Sequence, residues 1–120
     1  MRKFKSTNPE LIAVVRFLRK KAKENVAPVW SHVAERLASS RRSRVTVNLS
    51  RLNRYTKAEE SVVVPGKVLG AGNLEHSILV AAFSFSDRAR LKISKAQGKC
   101  LSILELLESN PKGSNVRILE

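Results

Sequence analysis

Apolar residues fall at helical spacing near the start of the chain. Leu11, Val14, Val15, Leu18 and Ala22 make one stripe, with Arg16, Arg19, Lys20 and Lys23 on the opposite face. Asn8-Pro9-Glu10 supplies a start signal: a capping side chain, a proline suited to the first turn, and a carboxylate that complements the helix dipole. Pro28 opens a second helix whose apolar face is Trp30, Val33, Ala34 and Leu37, and Ser39-Ser40 ends it. About four residues join the two, which predicts a helical hairpin. The pattern then changes to short β-branched runs. A strand is expected over 45–48, followed by a short helix through Leu52, and a second strand over 61–64 that stops at Pro65-Gly66. After a glycine-rich turn, 78–85 reads as a strand. Its first half is apolar on both faces, as in a central strand covered by helices. Ser86-Asp87 caps a helix that Gly98 ends, and 99–101 is a short strand. Ser102 and Glu105 fit a capping box for a helix through Leu107. A turn at Asn110-Pro111-Lys112-Gly113 precedes a last strand over 116–118. The alternation predicts an α/β fold in one domain of 120 residues: an N-terminal helical hairpin, then an irregular mixed β/α core with short strands.

Charge adds a direction to this picture. Residues 1–57 carry 15 basic and 3 acidic side chains; residues 58–120 carry 8 and 7. No carboxylate occurs between Arg36 and Ala58, a stretch holding Arg41, Arg42, Arg44, Arg51, Arg54 and Lys57. Self-repulsion disfavours such a run unless something negative outside the chain answers it. The division that follows is a basic arm at 1–7, a basic nucleic-acid-facing half at 8–57, and a near-neutral scaffold half at 58–120. Arginine dominates, and its planar fork suits phosphate oxygens and base edges. With four Phe, one Trp and one Tyr, the chain is poor in stacking platforms. That favours recognition of shape and backbone in structured RNA, with Tyr55 the one stacking candidate.

Other chemistries find less support. The stretch Gly66-Lys67-Val68-Leu69-Gly70-Ala71-Gly72 suggests a phosphate loop, but Gly-Lys stands at its start and Val68 follows where Ser or Thr is required. Its glycines are better read as a tight turn needing positive φ, with Lys67 and backbone amides still available to an RNA phosphate. His32 and His76 have no Cys, Asp or second His at ligand or triad spacing, and His32 reads as a helix-flank residue. No serine sits in a nucleophile elbow. No enzyme, cofactor or small-molecule substrate is expected. The single Cys100 cannot form an internal disulfide and reads as a small buried hydrophobe. Met-Arg-Lys-Phe-Lys is followed by polar residues, and the longest apolar run, 78–83, is too short to span a bilayer. A cytoplasmic protein without a membrane partner is the expectation.

Five blocks carry a family resemblance: the LIxxVRxLRKxA-type pattern of the first helix, VNLSRLNRYT at 47–56, VVVPGKVLGAGNL at 62–74, VAAFSFSDRAR at 80–90 and GKCLSILELLESNPKGSNVRIL at 98–119. Together they resemble the large-subunit ribosomal protein eighteen-e family of archaea and eukaryotes, related to bacterial ribosomal protein fifteen. The resemblance covers nearly the whole chain, and the length is similar to the archaeal form. It implies a mixed α/β domain in the ribosome, structural rather than enzymatic, with large-subunit ribosomal RNA and neighbouring ribosomal proteins as partners. It implies that Arg2, Lys3 and Lys5 of the arm, Arg16, Arg19 and Lys20 of the first helix, and Arg41, Arg42, Arg44, Arg51 and Arg54, with Tyr55, lie against RNA. Lys67 and Lys112 fall in the family's PGK and NPKG blocks and join that set. The charge alone also fits a freestanding architectural protein on DNA or transfer RNA.

Overall fold

The computed structural model describes residues 9–38 and 45–120. Helices α1 (Pro9–Asn25) and α2 (Pro28–Ala38) are followed by β1 (Val45–Asn48), α3 (Leu49–Tyr55), β2 (Ser61–Leu69), β3 (Leu79–Phe85), α4 (Asp87–Lys95), β4 (Lys99–Ser102), α5 (Ile103–Ser109) and β5 (Val116–Ile118). The described strands form one sheet in which every pairing is parallel. β3 lies between β4 and β2. The other edge of β2 is shared end to end: Ser61 to Val63 pair with β5, and Gly66 to Leu69 pair with β1.

Helices cover both faces, as parallel sheets require. One face, with Val63 and Ala81 at its centre, packs under α1, α2 and α5 through Leu11, Val15, Leu18, Trp30, Val33, Leu37, Ile103 and Leu107. The other face, with Val62, Val64, Val68, Val80 and Ala82, packs under α3 and α4 through Leu49, Leu52, Ala89 and Ile93. The stripe read along α1 is therefore the buried stripe. The hairpin forms with a shorter link than expected, because α1 runs on to Asn25 and leaves only Val26 and Ala27 before α2. Trp30 fixes the hairpin to the far end of the chain: it is fully buried, and its indole N–H donates to the Asn110 and Pro111 carbonyls at 3.3 and 3.0 Å.

The capping signals act as read. Ser86 Oγ accepts from the Ala89 amide, and Ser102 and Glu105 close a full capping box. The two hydrogen bonds from Ser102 hold the Glu105 carboxyl below its ordinary range.

Three local expectations are corrected. First, Pro65-Gly66 does not stop β2. It forms a bulge, two residues of β2 facing Phe83 between the Val64–Ala82 and Lys67–Ser84 pairs. The proline sits where the outer neighbour of β2 changes from β5 to β1, so its missing N–H costs no ladder bond. Gly66 is needed for a close approach and not for positive φ: a Cβ there would stand 2.0 Å from the Val45 carbonyl oxygen. Positive φ in this stretch belongs to Gly72 alone, at +87°. Second, α3 extends beyond Leu52 to Tyr55, where the amide and hydroxyl of Thr56 both close on the Leu52 carbonyl at 3.1 and 2.6 Å. Third, the left-handed residue after α4 is Gln97, not Gly98. Gln97 and Gly98 donate back to Ser94 and Ile93, a Schellman pattern, and Gly98 is required because a Cβ would meet the Ile78 carbonyl oxygen at 2.5 Å.

Candidate nucleic-acid interface

The sequence Leu49-Ser50-Arg51-Leu52-Asn53-Arg54-Tyr55 alternates on a one-turn period, so α3 buries Leu49 and Leu52 and turns Arg51, Arg54 and Tyr55 outward. Three hydrogen bonds to the loop after β2 pin the helix. Asn48 Oδ1 accepts from the Ala71 amide at 3.4 Å, the Ser50 amide donates to the Ala71 carbonyl at 3.0 Å, and Asn53 Oδ1 accepts from the Glu75 amide at 2.9 Å. A hydroxyl has one hydrogen, and that of Thr56 goes to the Leu52 carbonyl; His76 Nε2, 2.8 Å from Thr56 Oγ1, is therefore the donor to it. The loop after β2 is thus a clamp on α3, further tied by Lys92, whose ammonium donates to the Gly70 and Gly72 carbonyls at 2.9 and 2.6 Å. Of the amides in this glycine-rich stretch, those from 66 to 69 lie in ladder segments, and that of Ala71 is held by Asn48.

On this support, the exposed edge of α3 is cationic. The Arg51 guanidinium sits 5.8 Å from the Tyr55 ring centroid and donates to the Glu120 carbonyl at 2.6 Å. Tyr55 remains half exposed. Arg117, from the last strand, donates to the Tyr55 carbonyl at 2.6 Å and so caps the end of the helix, with Glu60 beside it at 3.5 Å. Glu60 Oε1 also accepts from the Lys57 amide. Arg54 is exposed, and among the described residues no carboxylate lies within ion-pair distance of it.

The remaining expected residues fall in separate places. Arg16 and Lys20 are exposed on α1. Arg19, expected with them, instead reaches across the hairpin to Glu35 of α2 at 3.2 Å, because it flanks the buried stripe rather than opposing it. Lys67 is exposed within β2, in register with Thr46 of β1, and not in a turn. Lys112 is exposed in a turn seated on α2, where Gly113, at φ +67°, packs against Val29. Arg2, Lys3, Lys5, Arg41, Arg42 and Arg44 lie outside the described residues, as does the Asn8 cap. Sequence reasoning missed Arg117 as a member of the α3 cluster. It also missed Glu120, whose carboxylate meets Arg36 Nε at 3.0 Å and His32 Nε2 at 3.2 Å. Cys100 is partly buried, and desolvation raises its thiol pKa, with Arg90 opposing; it remains a protonated thiol at neutral pH.

This geometry leaves Arg54 and the ring of Tyr55 exposed on the outer edge of α3, beside Arg51. Among the described residues, no group of three or more His, Cys, Asp or Glu is placed to hold a metal ion, and no helix is long and apolar enough to cross a membrane. The profile of the family described as ribosomal protein 60S L18 and 50S L18e matches residues 1–120. The chain belongs to that family. The large ribosomal subunit protein eL18 of Methanothermobacter thermautotrophicus is 48% identical over 120 residues, covering 100% of this chain and 99% of the relative. The eL18 proteins of Archaeoglobus fulgidus and Methanospirillum hungatei are each 49% identical, over 115 and 113 residues, covering 96% and 94% of this chain and 98% and 93% of theirs. Membership makes the chain a structural constituent of the ribosome rather than an enzyme, located with the large subunit in the cytoplasm.

Proposed function

We propose that the chain binds folded large-subunit ribosomal RNA through arginine and lysine contacts to the phosphate backbone. The observation that carries this is the outer edge of α3. Arg51 and Arg54 are presented by a helix that the loop after β2 clamps through three hydrogen bonds, within a stretch of 23 residues that has no carboxylate. The clamped helix fixes where both side chains start, the planar guanidinium fork loses little freedom per bond on meeting a phosphate, and condensed counterions are released when it does. In this reading the basic arm at 1–7 and the half at 8–57 face RNA: Arg2, Lys3, Lys5, Arg16, Lys20, Arg41, Arg42, Arg44, Arg51 and Arg54 supply charge, and Tyr55 an exposed ring. Arg19, engaged with Glu35, has the smaller part. Lys67 and Lys112 extend the surface from the scaffold half at 58–120, which holds the sheet together, and neighbouring ribosomal proteins cover other faces.

Filter binding of the purified chain to large-subunit ribosomal RNA, across a range of potassium chloride, tests this. A logarithmic plot of affinity against salt should fall with a slope of about −5 or steeper, as expected for six or more phosphate contacts. A slope near zero, or equal affinity for duplex DNA of the same length, would reject RNA-backbone clamping by this surface.

A further inference from the structure

The tip of the helical hairpin carries an anomaly. α1 ends in a Schellman-type bond, Ala27 N–H to Ala22 carbonyl at 3.0 Å, which puts Val26 in the left-handed position at φ +50°. Glycine takes that place at least cost, and a β-branched side chain is among the worst choices for it. The other non-glycine residues with positive φ among the described residues are Glu59, Gln97 and Asn115, all polar. Packing within the chain does not compensate, because Val26 is 85% exposed. It forms one lip of a hollow of about 420 Å³, with Pro28 as the other lip and Ala22 and Ala27 as the floor. A strained, exposed valine beside an apolar hollow is explained by a contact outside the chain.

The chemistry of the tip selects the kind of contact. RNA offers phosphate oxygens, which need donors, and base edges, which carry both donors and acceptors. The polar side chains of the lining are Arg19, Lys23, Ser31 and Glu35, but Val26, Ala27 and Pro28 have no polar side-chain atom, Pro28 has no N–H, and the Ala27 N–H is consumed by the helix end. An apolar protein side chain fits better. At the rim, Glu35 is held by Arg19, whereas among the described residues no carboxylate lies within ion-pair distance of Lys23. The complementary occupant therefore brings a negative charge beside its apolar group. We propose that the hairpin tip docks a segment of a neighbouring large-subunit protein, with an aliphatic or aromatic side chain in the hollow against Val26 and an adjacent carboxylate on Lys23. This rests on the reading that the chain is assembled beside other ribosomal proteins.

Photo-crosslinking within intact large subunits tests it. p-Benzoylphenylalanine is placed at Val26 in one version of the chain and at Ser31, across the hollow, in another, so that a failure of the first to assemble leaves the second. Tagged subunits are purified, their ribosomal RNA is verified, and adducts are mapped by mass spectrometry after irradiation. Both positions should mark one peptide of one other protein, with an apolar residue next to Asp or Glu. Lys23→Glu should lower the Ser31 yield severalfold. Val26→Gly should lower it as well while leaving the thermal midpoint unchanged or raised. Adducts to RNA, or none from either position in subunits that contain the chain, would overturn the docking surface alone. A thermal midpoint lowered by Val26→Gly would also overturn it, by giving the valine an internal role. Absence of the chain from subunits would overturn both this inference and the function proposed above.

Discussion

Replacing Arg41, Arg42 and Arg44 together by glutamate weakens binding to large-subunit ribosomal RNA roughly a thousandfold at moderate salt. Each guanidinium–phosphate contact is a charge-assisted hydrogen bond contributing on the order of 1.5 kcal/mol, about tenfold in affinity, and three are removed. Three fewer counterions are released, so the salt slope becomes shallower by about 3. The matched control is Lys95→Glu. Lys95 is exposed on α4, among the near-balanced charges of the second half, and its reversal should shift affinity only severalfold, through the overall field. Arg54→Glu belongs between the two, at roughly tenfold, because one contact is lost from a helix that stays clamped by Asn48, Asn53 and the Ala71 carbonyl. Arg51 is a poorer probe, since it also holds the Glu120 carbonyl and stacks on Tyr55. Filter binding at several salt concentrations measures all of these. A loss from the triple variant no larger, charge for charge, than that from Lys95→Glu would mean that total charge, and not a face, drives binding.

Gly66→Ala should be the most damaging single-atom addition to the sheet. The new Cβ would lie 2.0 Å from the Val45 carbonyl oxygen and 2.8 Å from its carbon, and both are backbone atoms that cannot rotate away. Relief requires β1 to leave β2, losing the register from Val45 to Asn48 and the packing of Val45 and Val47. A cost of about 3 kcal/mol or more follows from forced backbone displacement in a packed core. At Gly70 the same substitution meets Arg88 Cβ and Cγ at 2.8 Å and the Ala89 amide nitrogen at 3.0 Å, all farther than the Val45 oxygen is from Gly66, so its cost should be smaller, about 2 kcal/mol. Urea denaturation compares the two. Because β1 begins directly after the arginine segment, Gly66→Ala should also reduce RNA affinity under conditions where the protein is still folded. Equal stability of the Gly66→Ala and Gly70→Ala variants would remove the close approach as the reason for the glycine.

The helices were legible wherever one residue's environment was set by neighbours a turn away. The stripe from Leu11 to Ala22, the Ser86 cap and the Ser102–Glu105 capping box are all local, and each was read correctly from spacing. Pro65-Gly66 was misread because what rescues the proline is non-local. Only the change of neighbour from β5 to β1 leaves its missing N–H without consequence, and both of those strands lie far from it in sequence. Likewise, a glycine reads as positive φ by default, whereas Gly66 and Gly98 answer to a carbonyl on another strand or its flank. In the candidate interface, the want of carboxylates between Arg36 and Ala58 pointed to Arg51 and Arg54, and both are exposed. Periodicity could not show that Arg19 has Glu35 as partner 16 positions on, across a hairpin whose crossing it does not specify. Nor could it place Arg117 or Glu120 beside α3, at separations of 62 and 69 residues.

Sucrose-gradient sedimentation of lysate from cells that make this chain, before and after a high-salt wash, tests the central claim most directly. A broad clamp on folded ribosomal RNA predicts that the chain travels with the large subunit and stays there through the wash, because many contacts must break together. Quantitative recovery at the top of the gradient, even at low salt, would contradict it.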